Sequence, residues 1–170
     1  MMGMETSCAF TGHRPRKLPW GYNEEDARCE ALKAALASRI AGLAQAGYTD
    51  FLSGMAEGTD TWAALAVLAL RKERPAMRLH CVLPCPGQDA KWPASARDMY
   101  AAILRRADSV RYVSQTYDPY CMLRRNRYLV DHAACLLAVY NGELRGGTAM
   151  TVRYAEKLGR RVLILDPASV

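Results

Sequence analysis

Short apolar runs alternate with longer segments of helical periodicity along the whole chain. Residues 7–10, 48–52, 79–83, 109–113, 135–140 and 162–165 read as strands. The run 135–140 is apolar without alternation, as expected of a strand covered on both faces. Between the strands, residues 24–45 place apolar side chains at 32, 36, 40 and 43, along one face of a helix. Residues 59–72 carry Ala and Leu on all sides and predict a largely buried helix, and residues 94–107, 122–132 and 148–158 predict three more. Gly47 and Pro75 are helix stops. Strands separated by helices build βαβ units with right-handed crossovers. The expected fold is therefore α/β: a Rossmann-like, mostly parallel sheet flanked by helices on both faces. No repeat, linker or low-complexity stretch interrupts the pattern, so residues 1–170 read as one domain, long enough to bury a core.

Composition narrows the setting. The first ten residues lack the basic and apolar regions of a signal peptide, and the longest apolar run, 62–70, is too short for a bilayer. The expectation is a soluble, cytoplasmic protein with no membrane partner. Of six cysteines (Cys8, Cys29, Cys81, Cys85, Cys121 and Cys135), none forms a C-x-x-C pair, and several lie in apolar runs. They read as reduced structural thiols, with no metal site. The net charge of +6 favours anionic partners, but the basic residues come in short groups rather than one stripe. Charge alone does not separate a nucleotide pocket from a DNA surface.

In open α/β sheets, ligands bind beyond the carboxyl ends of the strands. Three loops with glycine and polar residues fall there: 11–15, 53–60 and 141–148. Gly146, Gly147 and Thr148 read as a phosphate cradle, because glycines allow close backbone approach and a helix start offers free N–H groups. The alternative is an ordinary turn capped by Thr148. Ser53 and Gly54 open the second loop, in which Glu57 and Asp60 could hold ribose hydroxyls, or Asp60 could simply favour the helix dipole. Without a G-x-G-x-x-G sequence, a standard NAD-dependent dehydrogenase is disfavoured. After Gly12, Arg14 could grip phosphate and His13 could bond it or shuttle a proton. Alternatively, His13 satisfies a backbone carbonyl and Arg14 pairs with Glu24 or Glu25. Arg124 and Arg127, three apart, share a helical face that could meet phosphate or merely be solvated, while Arg125 points elsewhere. Asn126 could cap the helix or contact a base. Trp20, Tyr22, Trp92 and Tyr117 lie in loops where an aromatic can stack on a base, whereas Trp62 reads as core.

Cys8-Ala9-Phe10-Thr11-Gly12-His13-Arg14-Pro15, Ser53-Gly54-Met55-Ala56-Glu57-Gly58-Thr59-Asp60, Arg125-Asn126-Arg127-Tyr128 and Gly146-Gly147-Thr148 together resemble the YpsA-like branch of the SLOG superfamily. The resemblance covers nearly the whole chain. It implies a modified Rossmann sheet and a nucleotide-derived ligand. Residues 53–60, 125–127 and 148–159 are also similar to DNA processing protein A, a single-strand DNA binder. Gly147-Thr148 is similar to the LOG-type phosphoribohydrolases, whose motif runs on to a catalytic glutamate. Thr151 stands at that position here, which puts the same hydrolytic chemistry in doubt.

The leading expectation is binding or sensing of a nucleotide-derived ligand such as ADP-ribose, NAD or a nucleoside monophosphate, with no other cofactor required. An N-glycosidic hydrolase with Glu57 or Asp60 as candidate catalytic residues is the alternative, and single-strand DNA binding is a further one. Homodimer formation is compatible with each.

Overall fold

Strand and helix alternate strictly from residue 7 to residue 165. In this computed structural model, which describes residues 2–170, they are β1 (Ser7–Gly12), α1 (Ala27–Gln45), β2 (Asp50–Ser53), α2 (Thr59–Arg71), β3 (Arg78–Leu83) and α3 (Ala94–Arg106). They continue as β4 (Ser109–Tyr112), α4 (Cys121–Asp131), β5 (Cys135–Val139), α5 (Gly147–Lys157) and β6 (Arg161–Leu165). The sheet formed by the described residues has the order β4-β3-β2-β1-β5-β6, and every pairing in it is parallel.

Most boundaries move by a residue or two from expectation, and two of the shifts have clear local causes. Helix α1 starts at Ala27 rather than 24, because the Asp26 carboxylate accepts the Arg28 N–H (2.8 Å) and caps the helix there. Strand β2 starts at Asp50 rather than 48, because the Tyr48 N–H is committed to Leu43 O (3.0 Å) in the turn that closes α1. That turn runs through Gly47 at φ +107°, which an L side chain rarely adopts.

The alternation of side chains along the strands divides the core into two layers. Cys8, Phe10, Phe51, Leu79, Cys81 and Leu137 face α1, α2 and α3, where Leu32, Leu36, Ile40, Val67 and Ile103 meet them. Ala9, Leu52, Val82, Leu136 and Ala138 face the other way, towards Leu129 and Val130 of α4 and Val152 and Ala155 of α5. Full burial of each large aliphatic side chain stabilises the fold by about 1.5–3 kcal/mol. Strand β4 is different, since all four of its residues are exposed at the sheet edge.

From β1 the chain adds β2, β3 and β4 on one side, and then α4 carries it back to β5 on the other side of β1. The reversal opens a crevice between the carboxyl ends of β1 and β5. In this class of sheet, such a switch point is where a ligand has room to enter.

Candidate functional site

The loops leaving β1 and β2 interlock before they reach the crevice. Gly12 lies so close to Thr59 that an added Cβ would stand 2.5 Å from Thr59 Cγ2. The Thr59 hydroxyl donates to His13 O (3.1 Å). Ser53 shapes the second loop from inside: its hydroxyl donates to Asp60 O (2.9 Å) and accepts the Met55 N–H (3.2 Å). Met55 is fully buried at φ +58°, a left-handed conformation sustained by the surrounding bonds. Asp60 Oδ2 accepts the Ala56 N–H (3.2 Å), so this carboxylate also holds the loop.

Arg125 enters the same space from α4. It shares a buried face with Cys121 and Leu129, four residues to either side, and is 3% exposed. Its guanidinium donates to Gly54 O, to Asn126 Oδ1 (2.9 Å) and, more weakly, to Met122 Sδ (3.7 Å). None of these acceptors is a carboxylate. A Cβ on Gly54 would stand 2.7 Å from Arg125 Nη1, so glycine is what lets the arginine lie flat there. Burial pushes the Arg125 pKa down, opposed chiefly by Asp60; burial pushes the Asp60 pKa up, opposed chiefly by Arg125. The two charges face one cavity without forming an ion pair.

The third wall is the start of α5. Gly146, at φ +106°, is its N-cap, so the Thr148 side chain does not cap it. The first backbone bond of the helix is from the Met150 N–H to Gly146 O (3.0 Å), and the N–H groups of Gly147, Thr148 and Ala149 have no acceptor among the described residues. Beside them, Lys17 Nζ holds Glu143 Oε1 at 2.5 Å. This bond keeps the Glu143 carboxyl below its ordinary range. The buried His13 ring accepts the Asn141 N–H at Nε2 (3.2 Å), which makes Nδ1 the protonated nitrogen of the neutral ring. Nδ1 has no hydrogen-bond partner among the described residues, with Glu143 Oε1 3.8 Å away.

The resulting cavity is about 170 Å³. Among the residues singled out from sequence, Gly12, His13, Arg14, Asp60, Asn126, Gly146, Gly147 and Thr148 line it. Ser53, Gly54 and Glu57 do not; Ser53 and Gly54 act behind the wall, through Met55, Asp60 and Arg125. The assignment of faces on α4 is reversed. Arg124 turns outward to Asp118 and to Ser114 Oγ (2.7 Å), and Arg127 lies over the Tyr154 ring (5.5 Å), while Arg125 turns in. Arg16 and Lys17, left out of the sequence-based site, also line the cavity. The first loop follows neither alternative: His13 accepts an N–H, and Glu24 is engaged by Lys33 (2.7 Å) and Trp62 Nε1 (3.2 Å) rather than by Arg14. No loop aromatic among the described residues lines the cavity. Trp20 is core and Trp92 packs edge-on against Tyr100 (5.2 Å), while Tyr22 and Tyr117 are exposed away from it. Thr151, at the position of the LOG-type glutamate, is buried and returns its hydroxyl to Gly147 O (2.8 Å).

The motifs at 11–15, 53–60, 125–128 and 146–148 thus come from four separate elements and meet at one crevice. A family model described as the YspA SLOG family (YpsA) matches residues 8–164, which includes all of them. The chain belongs to the YpsA family of SLOG proteins. A UPF0398 protein of Bacillus velezensis is 29% identical over 153 residues, covering 88% of this chain and 82% of the relative. Among solved structures, DNA processing protein A from Helicobacter pylori superposes with a TM-score of 0.63 at 20% identity, over 96% of this chain and 66% of that one. The Streptococcus pneumoniae protein of the same name gives 0.58 at 15% identity, over 93% of this chain but only 50% of that one. At these identities the likeness is one of fold, and this YpsA-family chain spans half to two thirds of those larger proteins. No helix among the described residues is long and apolar enough to cross a membrane.

Among the described residues, Asp60 is the one acid in the cavity wall, set among the cations Arg14, Arg16, Lys17 and Arg125. Asp60→Asn keeps an oxygen for the Ala56 N–H and removes a negative charge. It is expected to tighten binding of inorganic phosphate, measured by calorimetry. Weaker binding would show that the carboxylate itself touches the ligand.

Proposed function

We propose that this YpsA-family protein binds a nucleotide-derived ligand by its phosphate in the β1–β5 crevice. The observation that carries this reading is Arg125, a buried guanidinium with carbonyl, amide and thioether acceptors but no carboxylate partner. Holding a cation out of water is costly unless an anion joins it. The free N–H groups of α5, the unpartnered His13 Nδ1 and the exposed Arg14 face the same space, which suits an oxygen-rich dianion. Membership of a SLOG family supports a nucleotide-related ligand in general. ADP-ribose, NAD and nucleoside monophosphates carry the required phosphate.

A thermal-shift series with AMP, ADP, NAD, ADP-ribose and short single-stranded DNA, each at low and moderate salt, tests it. A ligand at one hundred times its dissociation constant adds about 2.7 kcal/mol of stability. A shift with a nucleotide, lost in Thr148→Val or Arg14→Ala, is the expected result; no saturable shift with any nucleotide would overturn it.

The structural neighbours give single-strand DNA binding weight as the second reading, since the Helicobacter pylori protein is described as having a single-stranded DNA binding mode. It predicts affinity that falls steeply with salt, because each phosphate contact releases counterions. N-glycosidic hydrolysis needs a carboxylate at the ligand. Asp60 lines the cavity whereas Glu57 does not, so Asp60→Asn is the variant that decides between binding and turnover.

A further inference from the structure

A second constellation lies on the opposite half of the sheet and shares no lining residue with the crevice. Asp50 opens β2, His80 lies in β3 and Ser109 opens β4. His80 pairs in register with Ser109 on one side and with Leu52, two residues beyond Asp50, on the other. All three side chains therefore fall on the face covered by α4 and α5. His80 Nε2 is 2.7 Å from Asp50 Oδ1, and His80 Nδ1 is 2.6 Å from Ser109 Oγ. Asp50 is 3% exposed, and its second oxygen accepts the Thr49 hydroxyl (2.9 Å). A carboxylate fixed in this way holds the proton on Nε2, which leaves Nδ1 unprotonated as the acceptor for the serine hydroxyl. Ser109 is exposed at the sheet edge, so a molecule from solvent can reach it.

The serine opens onto a cavity of about 210 Å³ whose apolar wall includes Leu52, Val82 and Tyr128. Arg111, two residues beyond Ser109 on the same face of β4, lines it as well, with its guanidinium 5.6 Å from the Tyr128 ring centre. A nucleophile, a base in the accepting tautomer and a cation thus line a small apolar space, with the buried Asp50 carboxylate behind the base. That is the set of roles acyl transfer requires.

The geometry points to a second site, an esterase centre for short acyl esters with Ser109 as nucleophile, His80 as base and Asp50 as the residue that orients it. Ser109 Oγ bonds to the acyl carbon while its proton passes to His80 Nδ1, and Arg111 offsets the charge on the carbonyl oxygen. The tetrahedral adduct then breaks its bond to the alcohol oxygen, which takes the proton from His80 and leaves. Water adds to the acyl-serine, gives its proton to His80, and the acid departs as Ser109 Oγ regains that proton.

The experiment is reaction of the full chain with a fluorophosphonate probe, adduct mapping by peptide mass spectrometry, and hydrolysis of p-nitrophenyl acetate and butyrate. An adduct on Ser109 is expected. Ester turnover should fall by about 100-fold or more in Ser109→Ala and in His80→Gln. Arg111→Ala should lower kcat more than it raises KM. Ser109→Ala removes one exposed oxygen from an edge strand, so it tests the site even if His80→Gln disturbs the fold. Absence of the Ser109 adduct, or wild-type turnover in Ser109→Ala, would overturn the assignment and leave the three residues as a clamp between strands. Neither result bears on nucleotide binding in the crevice.

Discussion

Arg125→Met is expected to weaken AMP or ADP-ribose binding by about 10- to 100-fold, because hydrogen bonds involving a charged group contribute about 1.5–3 kcal/mol. The same substitution should leave the melting temperature of the ligand-free protein unchanged or raise it. The two expectations have opposite signs for one reason. In the free protein the buried guanidinium has only neutral hydrogen-bond acceptors. Asp60, whose pKa burial already raises, takes up a proton more readily once the guanidinium is gone, so an apolar side chain of similar length relieves a desolvation cost. With a phosphate present, the same group gains an anion in a site shielded from water. Gly54 O is not orphaned by the change, since Gln88 Nε2 also donates to it (3.1 Å). Calorimetric titration and a thermal melt read the two halves separately. Undiminished affinity would take Arg125 out of the ligand site, and a marked drop in the free protein's melting temperature would make it a structural residue. Arg125→Lys should fall between, because the charge remains but the planar fork is lost. Gly54→Ala should weaken binding as well, by pushing the guanidinium off its seat.

The largest stability effect is expected at Gly12→Ala. The added Cβ would sit within 2.7 Å of three Thr59 atoms, including Thr59 Cβ, which is fixed to the helix backbone. Overpacking a close-packed interior costs about 1–3 kcal/mol. A domain of this size loses about 2–4 °C of melting temperature per kcal/mol, so the expected fall is about 6–12 °C at the upper end of that range. The control is the same chemical change at Gly42, an exposed position inside α1 with open space around its Cα. Gly42→Ala should stabilise by about 0.5–1 kcal/mol, because alanine loses less backbone entropy in a helix. Equal shifts at the two sites would rule out the contact between Gly12 and Thr59 as the cause. Because that contact joins the β1 and β2 loops, Gly12→Ala should also weaken ligand binding.

Much of the fold was legible from the sequence alone. Runs such as 135–140 announce strands buried on both faces, and the spacing of Leu32, Leu36, Ile40 and Leu43 announces a helix, because burial selects side chains at the period of the backbone. The motifs at 11–15, 53–60 and 146–148 were visible as polar, glycine-bearing strand exits, and strand exits are where this class of sheet leaves room for a ligand. The buried face of α4 differs from the sequence expectation, although its signal is present in the sequence. Arg125 sits four residues from both Cys121 and Leu129, in the buried stripe, but a charged residue in an apolar stripe reads as a break rather than as part of it. Only the tertiary structure supplied the carbonyl of Gly54 that accepts the Arg125 guanidinium and the bare space over that glycine. The orphaned Nδ1 of His13 depends on a backbone N–H 128 residues away, and the Asp50, His80 and Ser109 contact depends on the register of three strands. Local sequence sets periodicity and turn chemistry, because those act within a few residues. Which polar atoms end up without a partner is decided by strand order and register, which bring distant segments within hydrogen-bonding distance.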